Sequence, residues 1–455
     1  MIKLRLPRFP FVVGILLALV PIQPGWTQSD DSDFNIYENI GLISETLSRI
    51  SNGYVEEVDK SELIQSALDG MLSSLDPHSG YITPEEMLEM EEQTTGEFGG
   101  LGIQVTTENG YVKVISPIDD TPAFEAGVQA GDFIIEIDGE TVFEMDLQEA
   151  VDKMRGPPGE DITITILREN VDTPFEVTIT RDIIQIEAAE VRRIGDVIIA
   201  RVKTFSRQSV PNLEEGFKEV VAEYGDITDF SGVVIDLRNN PGGLLQSAVG
   251  VSDLFLEKGE IVSIRRRGDK TNTYDAEEYY KGDIAKGIPI IILINDGSAS
   301  ASEIVAGALQ DNERAAVIGT QSFGKGSVQT IIDLDNEKGV DTNKQRKFGG
   351  LRMTTAKYYT PSGKSIQGNG ITPDIVLQRH FDEEDPEEEE DTRYFFSESK
   401  YGNSLENDGI PIDQEEQEEL AEVNEALEGL RKSDNQLGYA IDLIHGFEAL
   451  GTDNF

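Results

Sequence analysis

"IPIIILINDGSASASEIVAGALQ", residues 288–310, decides how the chain is read. The apolar run Ile288 to Ile294 reads as a strand, "NDGSAS" breaks it with small, turn-forming residues, and "ASEIVAGALQ" resumes with helical spacing. A serine in such a turn is lifted to the mouth of a sheet, beside helix-terminal amides that stabilise a developing oxyanion. Three serines, Ser298, Ser300 and Ser302, compete for that role. Ser300-Ala301-Ser302-Glu303 also has the S-x-x-E form of a capping box, so helix capping alone fits the same residues.

The same alternation extends on both sides: "VIIARVKTF", "VPNLEEGFKEVVAEY", "GVVIDLR", "LLQSAVGVSDLFL" and, after residue 310, "AAVIG". From Val197 onward this predicts an α/β layered domain with its catalytic loops at the C-terminal ends of the strands. A second such loop is "LRNNPGGLL", 237–245, where Gly242 and Gly243 let backbone N–H groups approach a substrate carbonyl with no Cβ in the way. A tight strand-to-helix turn would use the same glycines. Pro241 restricts Asn240 and fixes the approach of the loop.

A serine nucleophile needs a proton acceptor, and the chain has three histidines. His380 borders an acidic run and His445 lies in the last helical stretch. His78, in "LDPHSGY", is expected to hold a turn through its ring nitrogens. A lysine serves instead if it is kept neutral, and "QSFGKGSVQ" sets Lys325 between two glycines after the strand "AAVIG". Moving a lysine from about 10.4 to near 7 takes about 4 to 5 kcal/mol of differential environment, which burial away from carboxylates supplies. No Asp or Glu lies between Arg314 and Thr330. "GTQSFGKG", 319–326, nearly matches a phosphate-binding loop, but Gly326 occupies the metal-binding hydroxyl position and "SVQTIIDL" reads as strand.

At 455 residues the chain has room for two or three domains. Its 38 Lys+Arg against 86 Asp+Glu leave a formal charge of -48, which repels polyanions and argues against nucleic-acid partners. The absence of cysteine excludes a thiol nucleophile, thiolate metal sites and disulfides. Lys3, Arg5 and Arg8 precede an uncharged stretch containing "FVVGILLALVPI", the layout of an export signal or signal-anchor over residues 1–29. Amphipathic helices are expected over 30–93, with Asp59 before Ser61 as a start signal. Short β runs with glycine punctuation, interrupted by "LQEAVDKM", mark a β-rich module over 94–182. Beyond residue 380, "DEEDPEEEED" is a self-repelling linker ahead of a helical tail, which makes 381–455 a segment of its own.

Taken in order, "LDPHSGY", "GGLGIQV", "DLRNNPGG", "NDGSASASEI", "FGKGSVQ" and "LRMTTAKYYTPSGKSIQGNGITPDI" resemble the C-terminal processing peptidases, or tail-specific proteases, over roughly residues 35–380. The resemblance implies a crotonase- or Clp-protease-like layered α/β core over 183–380, with the β module inserted as a PDZ domain. It implies Ser300 as nucleophile, Lys325 as general base and Gln329 as the residue that orients the lysine, with Ser298 and Ser302 in support. It further implies an oxyanion hole from the backbone of Ala301 and of either Gly242 or Gly243, and no cofactor or metal. In the PDZ module it implies capture of a substrate's free C-terminal carboxylate near Leu101, Gly102 and Ile103, with the tail added beside "GIQV" and the helix starting near Leu147. The implied function is an exported, periplasmic serine endopeptidase acting on protein or peptide tails, with membrane attachment through the N-terminal segment, an adaptor lipoprotein and a homo-oligomer as open partner questions. The rivals are a catalytically inactive PDZ scaffold and an acyl-CoA enzyme of the crotonase type, the latter needing a basic surface that this acidic chain hardly offers.

Overall fold

The computed structural model describes residues 35–379, apart from 170, 172, 269, 277–281 and 338–346, together with residues 429–450. The expected export segment, the acidic run and His380 lie outside the described residues. The chain divides into two compact units, 1–68 and 69–455. In the first, α1 (Ile36–Gly53) starts at Asn35, whose side chain accepts from the Tyr37 and Glu38 amides, and it buries none of its residues. α2 (Lys60–Ser73) begins where Asp59 accepts from the Ser61 amide at 2.6 Å, the start signal read from the sequence.

The second unit begins at Asp69, within α2, and continues with β1 (Gly80–Ile82) and α3 (Pro84–Thr95), which has a full capping box between Thr83 and Glu86 and ends on Gly96 in the left-handed conformation. β2 (Glu97–Gly100) leads into the β module: β3 (Ile103–Glu108), β4 (Tyr111–Pro117), α4 (Pro122–Glu125), β5 (Phe133–Ile137), β6 (Glu140–Thr141), α5 (Leu147–Met154), β7 (Asp161–Leu167) and β8 (Phe175–Thr180). Its sheet runs β3-β4-β5-β7-β8, with β6 on β5, and every described pair is antiparallel. Period 2 explains the packing: in "DITITIL" Ile162, Ile164 and Ile166 are buried and the residues between them are not. The chain leaves the module by β9 (Asp182–Gln185), which pairs with β2 from Glu97↔Gln185 to Gly100↔Asp182. Entry and exit strands thus zip together at the base of the module.

The core follows: β10 (Ala189–Ile194), β11 (Val197–Val202), α6 (Ser209–Tyr224), β12 (Gly232–Asp236), α7 (Leu245–Asp253), β13 (Glu260–Arg266), β14 (Lys270–Asp275), β15 (Ile290–Ile294), α8 (Ala301–Asp311), β16 (Ala316–Gly319), β17 (Ser327–Asp333), α9 (Leu334–Glu337), β18 (Gly350–Tyr359), β19 (Ile375–Val376) and α10 (Asn435–Leu450). One sheet has the order β10-β11-β12-β15-β16-β19; β10 is antiparallel to β11 and the other pairs are parallel. Its central strands are continuous apolar runs because both faces are covered. Ile198, Ala200, Val233, Ile235, Ile290 and Ile292 face the cluster built with α6, α7 and α8, and Val197, Ile199, Val234, Ile291 and Leu293 face the other way. A second sheet places β18 between β1, β13 and β17, with β14 beyond β13.

What covers the second face is α10, which the sequence reading set apart as a tail. Leu437, Ala440, Ile441 and Ile444 pack on that face, and burying three large aliphatic side chains contributes on the order of 5 kcal/mol. A polar bolt accompanies them. The Arg238 guanidinium is buried, its Nε and Nη2 donate to Asp236 at 2.9 and 2.8 Å, and Nη1 and Nη2 donate to Asp434 at 2.7 Å each. Gln436 Oε1 accepts from Nη1 at 3.0 Å. Because a buried cation deprived of a partner loses more than the pair contributed, Asp434→Ala is expected to lower stability by about 3 kcal/mol, measured as a fall in the urea midpoint at unchanged slope. Asp434→Asn, which keeps an acceptor, should lose less.

Candidate active site

The turn after β15 treats its three serines differently. Ser298 Oγ donates to Leu237 O at 2.8 Å and Ser302 Oγ donates to Asn240 O at 2.8 Å, and both residues are fully buried. Their hydroxyls are spent on tying this turn to the glycine loop after β12. Ser300 stands between them at φ 54° and ψ −108°, a left-handed conformation that a side chain rarely adopts, and its side chain is close enough to the phenol of Tyr358 to lower that group's pKa. Backbone strain at a strand-to-helix turn of this kind is a device by which nucleophiles are presented in other folds.

The glycine loop packs on that apex. A Cβ on Gly242 (φ 106°) would lie 2.8 Å from Ala299 O and 2.9 Å from Ser300 Cβ, so only glycine fits the contact. Asn240, fully buried, is the staple of the loop. Its Nδ2 donates to Val202 O at 2.8 Å, its carbonyl accepts from Ala299 N at 3.0 Å, and its Oδ1 accepts from Gly242 N at 2.9 Å. The Gly242 amide is therefore engaged within its own loop. Neither the Gly243 nor the Ala301 amide donates in any of the hydrogen bonds of the described residues, and Ala301 heads α8, where the first amides have no intrahelical acceptor.

Lys325 lies in the loop between β16 and β17. A single carboxylate joins it to the serine: Glu303 Oε2 accepts from Ser300 N at 2.7 Å and from Lys325 N at 2.9 Å, while Oε1 accepts from Ser322 Oγ and Gly324 N at 2.6 Å each. Phe323 N also donates to Ser298 O at 3.0 Å. The S-x-x-E spacing therefore does more than cap α8. Glu303 is 1% exposed, and burial pushes its carboxyl up in spite of four donors.

Burial pulls the Lys325 amine below its ordinary value, the Arg352 charge pulls it further, and Glu303 opposes both. A carboxylate thus does stand near this lysine, contrary to an acid-free surrounding, but its oxygens are occupied by backbone and serine donors. No hydrogen bond joins Ser300 Oγ to Lys325 Nζ among the described residues. Gln329, on β17, donates from Nε2 to Ser327 Oγ at 2.9 Å and to Thr354 Oγ1 at 3.3 Å.

Sequence reasoning passed over three residues here. Tyr358 is 5% exposed; burial pushes its phenol up to about 12 even though Ser300 lowers it, so the phenol keeps its proton over the physiological range. Thr354 and Asp76 meet across the chain, Thr354 Oγ1 donating to Asp76 Oδ1 at 3.1 Å. The "DPHS" turn is held by that aspartate, which accepts from the His78 and Ser79 amides at 2.9 and 3.0 Å and from Ser79 Oγ at 2.7 Å. His78 contributes its backbone to the described hydrogen bonds rather than its ring, because an Asx-type turn needs only a carboxylate two residues back.

In the β module, Leu101, Gly102, Ile103 and Val105 line a groove with Val151 and Met154 of α5 and with Phe98 and Arg155. The Leu101 and Gly102 carbonyls are tied inward, accepting from Ala123 N at 2.9 Å and Ile118 N at 2.8 Å. Gly102 takes φ 77° with Thr121 packed where a Cβ would stand. Among the described residues no group of three His, Cys, Asp or Glu could hold a metal ion.

Comparison with known proteins agrees with this layout. Residues 196–377 match peptidase family S41, residues 113–168 match a PDZ domain, and residues 23–86 match the N-terminal domain of the activating protease CtpB. The chain is 49% identical over 371 residues to a carboxy-terminal-processing protease of Bartonella bacilliformis, covering 81% of this chain and 82% of that protein. It is 33% identical over 355 residues to a probable CtpA-like serine protease of Staphylococcus aureus, covering 78% and 66%. Among solved structures, a photosystem II D1 C-terminal processing protease is similar at 26% identity over 74% of this chain and 92% of that one, with a TM-score of 0.42. With 49% identity to a carboxy-terminal-processing protease over an alignment that spans four fifths of both chains, this chain belongs to peptidase family S41, as a serine peptidase carrying a PDZ domain.

Proposed function

We propose that the chain hydrolyses peptide bonds by acyl transfer, with Ser300 as nucleophile and Lys325 as general base, on substrates delivered by their C-terminal tails. The observation that carries this reading is the shared Glu303 oxygen: one buried carboxylate holds the Ser300 and Lys325 amides together while the flanking serines are committed elsewhere. Tyr358 keeps its proton and so cannot compete as base. The neutral Lys325 amine takes the Ser300 proton as Oγ attacks the carbonyl carbon, and returns it to the leaving amine; water then hydrolyses the acyl-enzyme by the same route. The engagement of Gly242 N by Asn240 favours Gly243 and Ala301 as the oxyanion donors. Gln329 orients the lysine.

For tail binding, the groove supports an apolar terminal side chain against Ile103, Val105, Val151 and Met154, with the carboxylate at the Leu101–Gly102–Ile103 loop. The basic, apolar start of the sequence supports export to a periplasmic space, by cleavage or by anchoring of residues 1–29. An adaptor lipoprotein and self-association belong to the same proposal.

Ser300→Ala and Lys325→Ala are each expected to abolish cleavage of an unstructured polypeptide with an apolar C-terminus while circular dichroism stays unchanged; substantial turnover by either variant would overturn the dyad. The base must be neutral, so kcat should rise with pH through the lowered lysine pKa and fall below it. Arg352→Gln removes a cation that disfavours the ammonium, so the rising limb should move to higher pH, read from kcat between pH 5 and 10. Amidating the C-terminal carboxylate of the substrate should raise KM with little change in kcat, and equal KM values for acid and amide would remove the proposed carboxylate loop.

A further inference from the structure

We propose that Asp76 and Thr354 are positioning residues that decide which end of the Gln329 side-chain amide is turned toward the lysine. The inference rests on the assignment of Lys325 as general base, and it begins from proton counting. Oδ1 and Oδ2 of Asp76 together accept four hydrogen bonds, from the His78 and Ser79 amides, Ser79 Oγ and Thr354 Oγ1. Burial pushes this carboxyl up, but the donors from Ser79, His78 and Thr354 outweigh it and hold the group below its ordinary value. An ionised carboxylate only accepts. Thr354 has one hydroxyl proton, and it is committed to Asp76.

Toward Gln329, Thr354 Oγ1 can therefore only accept. It does so from Nε2 at 3.3 Å, beside Ser327 Oγ, which accepts from the same nitrogen at 2.9 Å. With the NH2 end of the amide fixed on these two oxygens, the Oε1 carbonyl is the end left to accept from an amine. A neutral lysine has two N–H donors and one lone pair. An acceptor for an N–H turns the lone pair away from that acceptor, which is what a base facing a serine requires. A hydroxyl free to rotate at position 354 would permit the flipped amide, which would present N–H donors to the amine and compete with Ser300 for its lone pair.

The turn that carries Asp76 grips β18 at further points. Thr354 N donates to Ser79 Oγ at 3.1 Å, and Arg352 Nε donates to His78 O at 2.9 Å. Gln329 and Thr354 are partners in the β17–β18 register where it shifts, between Val328↔Ala356 and Gln329↔Thr354. Such a bulge re-aims side chains at that position. The "LDPHSGY" segment thus reaches the site from more than 200 residues upstream by fixing both the hydroxyl beside Gln329 and the cation that acts on Lys325.

The test is a double-mutant cycle on the full-length protein, with Tm recorded for every variant. Thr354→Val should lower kcat about tenfold to a hundredfold with KM within twofold, since small misplacements of a catalytic group have effects of this order. Thr354→Ser should restore most of the rate. Asp76→Asn, which keeps the shape but offers a donor to Thr354, should lower kcat in the same way. In a Gln329→Ala background both losses should vanish, because a residue that acts only through Gln329 has nothing left to position. Losses that multiply in the double variants, a Thr354→Val or Gln329→Ala enzyme at the wild-type rate, or a fall in kcat that follows Tm would each overturn the relay. If Thr354→Val does not fold, the Asp76→Asn arm decides. Lys325→Ala assayed alongside separates the two levels: full activity there overturns the dyad and the relay together, whereas an inactive Lys325→Ala with multiplying double variants overturns the relay alone.

Discussion

The site depends on one carboxylate that is almost wholly out of solvent. Removing Glu303 from water costs several kcal/mol. Four short hydrogen bonds, each charge-assisted, offset that desolvation, and three of the four come from the loop that carries Lys325. The arrangement has a geometric result that no direct serine–lysine contact would guarantee. The backbones of two residues 25 apart in sequence are fixed by a rigid, planar group that is itself anchored in the first turn of α8. A second set of ties, from Ser298, Ser302 and Asn240, fixes the serine turn against the glycine loop. The serine turn, the lysine loop and the glycine loop are thus three loops of one hydrogen-bonded assembly at the C-terminal ends of neighbouring strands β12, β15 and β16.

Much of this was legible in the sequence, and the limits are physical. Buried parallel strands announce themselves as apolar runs, and strand-to-helix turns as glycine, asparagine and serine, so the layered core, the β module and both loops follow from local pattern. The choice of Ser300 over its neighbours came from likeness to a family; local sequence could not show that the hydroxyls of Ser298 and Ser302 are engaged by backbone carbonyls. Glu303 was visible only as a capping residue because its other three donors arrive from position 322 onward. Tyr358, Thr354 and Asp76 carried no local signal at all. Their roles arise from pairing between β17 and β18 and from a turn closed far upstream, which no window of neighbouring residues contains.

α10 is the larger displacement from expectation. The acidic run before it set it apart as a helical tail of a separate segment, yet its apolar stripe is needed to cover strands whose two faces are both oily. The sheet could not be a parallel one with a bare face. Arg238, two residues after the end of β12 and four before Gly242, links that cover to the loop beside Ser300 through Asp434 and Gln436. Helix docking and the setting of the glycine loop are therefore not independent quantities.

The left-handed backbone of Ser300 has a consequence for how such a protein evolves. Holding a side-chain-bearing residue there costs of order 1–3 kcal/mol, a penalty that glycine would escape. The sequence most comfortable in this fold is therefore one that has lost its chemistry, and selection for robustness alone would drift toward an inert glycine at this position. A serine in that conformation is one that folding alone does not favour.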